Sequence, residues 1–336
     1  MSKMRMRQAI TSALRDAMQE DASVILLGED IAAAGGAFKA TDGLLDEFGP
    51  TRVRDTPISE MGFLGAAVGA AATGLRPVVE MMYVEFLGVA LDQLVTEAAK
   101  WRYLSRGRIG IPLVVRASAG AGLGFGCQHS QMLDNWFRAT PGLKLAVASN
   151  PQSAYGLLRS AIRDPDPVVL LEPRALYGDR DEVELGDGGV VPLGEARVAA
   201  TGEDVTLVAA GQMVGVALAA AGREGQSWSA DVIDLQTLLP WDRETVLRSA
   251  RRTGRLVIVE ESPYTGGWGT EVTDYVAGEL FGLLKAPTLR ITTPDSHVPY
   301  AGALEGRFLP SPDYVEDQVG ELLKTGRRPS PWWEPR

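Results

Sequence analysis

The chain has 336 residues, 45% hydrophobic and 23% charged, and its 33 Lys and Arg against 43 Asp and Glu give a net charge of −10. That length accommodates two domains of ordinary size, and the acidic balance excludes the clustered basic face of a nucleic-acid binder. A single cysteine, Cys127, excludes a disulfide framework and an all-cysteine metal site.

The opening MSKMRMRQAITSALRDAMQED contains acidic residues and no apolar core, so neither a signal nor a transit peptide is expected. The uncharged run Met61–Leu75 is too short and too rich in glycine to span a bilayer. A cytoplasmic chain without a membrane partner is the expectation. Residues 6–20 read as a helix, with Met6, Ile10, Leu14 and Met18 on one face and Ala9, Ala13 and Ala17 beside them. Residues 23–30, SVILLGED, form a buried strand whose C-terminal end carries Glu29 and Asp30, the end where open α/β sheets place ligands. A strand running into a loop over 75–87, a helix over 90–103, a strand over 111–120, a helix over 153–163 and a short apolar strand over 167–173 follow. Strands alternating with helices imply a parallel sheet covered on both faces.

Residues 178–193 are charged and glycine-rich without an apolar period, and read as a connection between domains. Beyond it, strands at 205–211, 230–235, 255–261 and 286–293, with helices at 213–222 and 270–281, repeat the alternation. The fold class is therefore α/β in two domains, each a mainly parallel sheet with helices on both faces. The expected boundaries are 1–180, a linker at 181–200, 201–325, and an irregular tail at 326–336. In that tail Trp332 and Trp333 offer an anchor for a partner.

The most informative stretch is Asp55–Gly74, DTPISEMGFLGAAVGAAATG. Pro57 disfavours helix at the residue before it, Ser59 is placed to cap the helix that follows, and Glu60 falls in the first turn, where the dipole favours a carboxylate. Gly62, Gly65, Ala66, Gly69, Ala70 and Thr73 recur at helical spacing, leaving a face that another backbone can approach closely. For an arbitrary helix Glu60 would only complement the dipole. A second feature is a run with glycines at 120, 122, 124 and 126 that leads into Cys127-Gln-His-Ser-Gln131. It reads as a flexible loop rather than a dinucleotide fingerprint, since neither glycine register holds. His129 is one of two histidines in the chain; a lone histidine is usually structural, but an imidazole can also give and take a proton near neutral pH.

RDTPISEMGFLGAAVGAAATGLRPVVEMM (54–82) resembles the beta subunit of the thiamine-diphosphate-dependent decarboxylating component of 2-oxo acid dehydrogenase complexes. So do LGEDIAAAGGAFKATDGL (27–44), LDQLVTEAAKWRY (91–103), CQHSQM (127–132), PGLKLAVASNP (141–151), AIRDPDPVVLLEP (161–173), VTLVAAGQMV (205–214) and VIDLQTLLPWD (232–242). The resemblance implies a transketolase-like pyrimidine-binding domain followed by a transketolase C-terminal-like domain. It implies that Glu60 bonds the N1′ nitrogen of the cofactor's aminopyrimidine and favours its imino tautomer. Met82 and Phe86 would pack on that ring with Glu29 nearby, and His129 would serve acyl transfer; on the residues alone Met82 and Phe86 are simply core.

The same resemblance implies a structural potassium ion on main-chain oxygens of Leu113, Ala161, Ile162, Asp164 and Asp166. It implies an alpha subunit in an α2β2 heterotetramer, and a lipoyl acyltransferase as acceptor. Gly186-Asp-Gly188 looks like the start of the superfamily's magnesium and diphosphate motif, yet the only asparagines, Asn135 and Asn150, lie upstream. Hard cations need such oxygen ligands, so magnesium is expected to be held mainly by the alpha partner. Pyruvate-type and acetoin-type members share these motifs. A split transketolase-like enzyme passing a two-carbon unit to a carrier protein is an alternative, and a silent scaffold subunit is the non-enzyme one.

Overall fold

The computed structural model describes residues 1–334. The chain divides into two compact units, one made of Met1–Ala119, Trp136–Leu193 and Leu238–Pro240, the other of Gly120–Asn135, Gly194–Thr237 and the chain from Trp241 onward. The first unit runs β1 (Ser2–Arg5), α1 (Met6–Glu20), β2 (Val24–Gly28), α2 (Leu44–Phe48), β3 (Val53–Asp55), α3 (Glu60–Ala72), β4 (Arg76–Met81), α4 (Leu87–Leu91), α5 (Trp101–Leu104), β5 (Val114–Ala119), α6 (Asn135–Arg138), β6 (Lys144–Val147), α7 (Pro151–Arg163), β7 (Val168–Pro173) and β8 (Arg180–Val183). The rest runs β9 (Arg197–Ala200), β10 (Val205–Ala209), α8 (Gln212–Ala221), β11 (Ala230–Asp234), β12 (Thr237–Leu239), α9 (Arg243–Thr253), β13 (Leu256–Pro263), α10 (Gly269–Glu279), β14 (Leu289–Thr293), α11 (Gly302–Phe308) and α12 (Pro312–Thr325). No helix among the described residues is long and apolar enough to cross a membrane.

A seven-stranded sheet in the order β12-β6-β7-β5-β4-β2-β3 forms the first unit's centre. Its pairs β2–β3, β2–β4, β4–β5, β5–β7 and β6–β7 are all parallel. Central β5 and β7 are buried at every residue, as strands covered on both faces must be. Helix α1 buries the predicted Met6, Ile10, Leu14 and Met18 face together with its alanines. It is tied to α7 by Tyr155, which donates to Asp16 at 2.5 Å, and by Arg159, which donates to Glu20 at 2.6 Å. Asn150 starts α7 sharply, accepting from the Ser153 amide at 2.8 Å with Pro151 next in line.

Two readings of this unit differ from the structure. The stretch at 178–193 is not a free connection: β8 pairs antiparallel with β1, Ser2 opposite Val183. Pairing between the charged strand β8 and the polar strand Ser2–Arg5 leaves no apolar period to read. The expected single helix at 90–103 is broken, with a π-helical segment at Asp92–Ala98 between α4 and α5. Such wide turns are rare and concentrate at functional sites.

The second unit is a five-stranded sheet in the order β14-β13-β10-β11-β9, parallel except for β9, which runs antiparallel to β11. Its core gathers Val205, Leu207, Val232, Val257, Val259 and Ile291 from the strands with Val214, Ala217, Val315, Val319 and Leu322 from α8 and α12. The segment Gly120–Asn135, expected in the first domain, packs with this unit. Its backbone amides are held there by carboxylates of β13 and α11.

Candidate active site

The start of α3 is fastened to the exit of β2. Gly28 sits opposite Asp55 in the ladder, Thr56 donates its amide to the Gly28 carbonyl at 3.0 Å, and Asp55 accepts from the Ala32 amide at 2.8 Å. Ser59 then enters the helix from extended backbone, φ −163°, and its hydroxyl makes no capping bond. The sequence pattern for an N-cap is present without the cap. Instead the hydroxyl lies over Gly62, where a Cβ would come within 2.8 Å of it. Glu60 is the first residue of α3 and is half-buried. The N-terminal amides of a helix are turned toward such a carboxylate.

Glu29, the residue after β2, is half-buried too, and its Oε1 is buried without a hydrogen-bond partner. Burial pushes its carboxyl above the usual range, and the charges of Glu60 and Asp30 push it further. Two carboxyl groups thus sit in each other's field at the C-terminal ends of β2 and β3. The Thr56 hydroxyl, in the turn between them, is also buried and unpartnered. Buried polar atoms are normally paired. A ring nitrogen and an exocyclic amine are groups that would satisfy them, so these residues fit an aminopyrimidine.

Met82 and Phe86, both half-buried, lie just past β4 on a wall that is pinned from behind. The Ser118 hydroxyl donates to the Met82 carbonyl, and Arg174 donates to Ser118 at 3.3 Å. The Arg174 guanidinium lies 4.9 Å from the Tyr83 ring centre and 5.9 Å from that of Phe38, a cation–π geometry. Tyr83 in turn meets Phe86 edge-on at 5.2 Å. Under this wall Arg116, 1% exposed, bonds Glu172 through Nε and Nη2 at 2.7 and 2.9 Å and Glu80 through Nη1 at 2.8 Å. Tyr177 donates to Glu172 at 2.8 Å. Burial works against the Arg116 charge, but Glu172 and Glu80 outweigh it and hold the guanidinium firmly protonated.

His129 is half-buried and belongs to the second unit, where its amide bonds the Gly126 carbonyl at 3.2 Å. His297 is exposed. The Gly186-Asp-Gly188 sequence is a short surface turn whose Asp187 pairs with Arg163 at 2.6 Å. Among the described residues no group of three or more His, Cys, Asp or Glu is arranged to hold a metal. Of the five main-chain oxygens at Leu113, Ala161, Ile162, Asp164 and Asp166, the first four already accept hydrogen bonds. The Leu113 carbonyl accepts from Val168 and that of Ala161 from Asp164. Arg76 donates to the carbonyls of Ile162 at 2.8 Å and Asp164 at 3.3 Å, so an ion here would share its ligands with a guanidinium.

Comparison with known proteins places the chain in a family. Residues 2–180 match the transketolase pyrimidine-binding domain, and residues 194–315 match the transketolase C-terminal domain. The chain is 46% identical over 332 residues to the pyruvate dehydrogenase E1 component subunit beta-2, mitochondrial, of Oryza sativa subsp. japonica, covering 97% of this chain and 86% of that one. The chain belongs to the family of dehydrogenase E1 beta subunits. Within the family it is 42% identical to the acetoin:2,6-dichlorophenolindophenol oxidoreductase subunit beta of Bacillus subtilis (strain 168), over 95% of this chain and 96% of that one. It is 40% identical to the 2-oxoisovalerate dehydrogenase subunit beta of the same organism, over 96% and 100%. A solved "split gene transketolase, inactive beta4 tetramer" aligns with a TM-score of 0.78 over 96% of this chain and 99% of that one, at 24% identity. That last likeness shows the two-domain fold. E1 beta subunits are parts of thiamine-diphosphate-dependent enzymes, and the two expected domains are those the family models match.

Proposed function

We propose that this chain supplies the pyrimidine side of a thiamine diphosphate site in an E1 enzyme acting on a short 2-oxo acid or on acetoin. The observation that carries the reading is the pairing of Glu60, at the start of α3, with the buried and unpartnered Oε1 of Glu29. When bound, thiamine diphosphate supplies the carbon nucleophile that a 2-oxo carbonyl requires. The chain's own work is orientation and one shared proton. Glu60 would share a proton with the N1′ ring nitrogen, in the electrostatic field of Glu29. Met82 and Phe86 would fix the ring's plane, and the Arg174–Tyr83 stack behind them would keep that wall still. Diphosphate and magnesium fall to an alpha subunit in an α2β2 assembly, because this chain lacks the asparagine-bearing half of the motif. Potassium, if bound, would lie on the oxygens beside Arg76 and takes no part in the chemistry. The acyl unit would pass to a lipoyl group. The identities of 40–46% to dehydrogenase beta chains favour this over a transketolase-like transfer to a carrier protein, and Glu60 and His129 together disfavour a silent scaffold.

In this reading His129 handles protons at the second half of the reaction. His129→Ala should lower the lipoyl-dependent rate by about 10²-fold, on the scale of a lost acid–base group, while decarboxylation with an artificial electron acceptor falls much less. Equal losses in both assays, or none in either, would make the histidine structural.

A further inference from the structure

We infer that Glu305 is a positioning residue for His129: its carboxylate holds the glycine run 120–126 closed around itself and thereby sets the turn that carries the imidazole. Gly120, Gly122, Gly124 and Gly126 all have positive φ, from 71° to 111°, a region that L side chains avoid. Placing such a residue at every second position turns successive amides inward, and an anion-binding concavity results. The occupant is the protein's own carboxylate. Glu305, on α11 and 4% exposed, accepts from the Gly122 amide through Oε1 and from the Gly124 amide through Oε2, both at 2.8 Å. Glu261 of β13 accepts from the Ala121 amide at 2.6 Å and from the Gln212 side chain at 2.7 Å.

The loop is fixed at two further points. The Gly120 amide bonds the Gln131 carbonyl at 3.0 Å across its root. The Tyr300 ring lies on Gly126, where a Cβ would come within 2.7 Å of it. The alternating glycines are therefore a rigid cradle and not the flexible loop that their number suggests. Charge-assisted bonds to backbone amides are stronger than neutral ones, and a buried carboxylate stripped of its donors is strongly disfavoured. Loop and carboxylate thus form together or not at all. Three residues beyond Gly126 the chain presents His129, whose amide is anchored to that same glycine.

This inference rests on the assignment of His129 made above, and Glu305→Gln tests it in the complex assembled with an alpha subunit. The amide has one acceptor where the carboxylate has two, and its NH2 faces a backbone donor. Hydrogen exchange over 121–131 should accelerate about tenfold, the effect of one lost charge-assisted bond, with the sheet's exchange unchanged. The ratio of the lipoyl-dependent to the artificial-acceptor rate should fall at least fivefold, on the same scale. Glu305→Asp, too short to span both amides, should behave likewise. Unchanged loop exchange, or a collapse of the melting transition in both variants, overturns the inference. Faster exchange with an unchanged ratio also overturns it where His129→Ala itself shifts that ratio. Where His129→Ala leaves the ratio untouched, the role given to the histidine is what has failed.

Discussion

Glu60→Gln should abolish turnover of the assembled enzyme while leaving this chain folded. The amide cannot share a proton with a ring nitrogen as a carboxyl does, and losing such a group typically lowers rates by 10²–10⁴-fold, so residual activity of about 1% or less is expected. Stability should barely change. Glu60 is half-buried at a helix start and makes no ion pair among the described residues, and a carboxylate at that position contributes only about 0.3–1 kcal/mol through the dipole. Steady-state turnover and thermal melting on the same preparation check both halves of the statement. A variant with near-normal turnover would remove Glu60 from the chemistry, and one that fails to fold would make it structural.

The second large effect concerns stability. Arg116→Met should destabilise the first unit by about 3–5 kcal/mol, the usual result of removing one partner from a buried ion network. Arg116 is 1% exposed, Glu172 likewise, and Glu80 is largely shielded, so the substitution strands two carboxylates inside the sheet. Tyr177 still donates to Glu172, and protonation is the further relief. Glu80 already titrates above the usual carboxylate range through burial, with Arg116 pulling it back down. The variant should therefore regain part of its stability as the pH falls toward 5, and Glu80→Gln with Glu172→Gln on the same background should regain part at neutral pH. Denaturant melts at the two pH values test this. A loss under 1 kcal/mol would mean that water reaches the network.

Most of the fold could be read because apolar periodicity is a local property. The β5 and β7 runs, the Met6–Met18 stripe and the second unit's strands all carry it. The strands that escaped reading lack that signature. Strands β1 and β8 are polar and exposed along most of their length, and only their mutual pairing identifies them. Helices α9 and α12 did carry signals: Asp242 and Ser311 as caps, Pro312 at the first position of α12, and Gly254 and Gly326 in left-handed conformation at the two ends. Both also bury residues at helical spacing, Val246 and Ala250 in α9 and Val315, Val319 and Leu322 in α12.

At the site, Glu60 stands out by its motif, but the orphaned Glu29 oxygen and the Arg174 stack depend on side chains brought together from separate strands. The glycine run shows the limit most clearly. Alternating glycine is visible in the sequence, yet whether it means mobility or a cradle depends on Glu305, more than 180 positions away along the chain. No local pattern contains that information.

The central claim is that this chain carries one half of a cofactor site. Isothermal titration of thiamine diphosphate with Mg²⁺ into the purified chain, and then into the chain mixed with an alpha subunit, tests it most directly. Mg²⁺ sites are built from one or two carboxylates together with substrate phosphates, and the described residues offer no such cluster. The account predicts no measurable heat of binding for the chain alone and tight binding once the alpha subunit is present, weakened by Glu60→Gln. Micromolar binding of the cofactor by this chain on its own would contradict it.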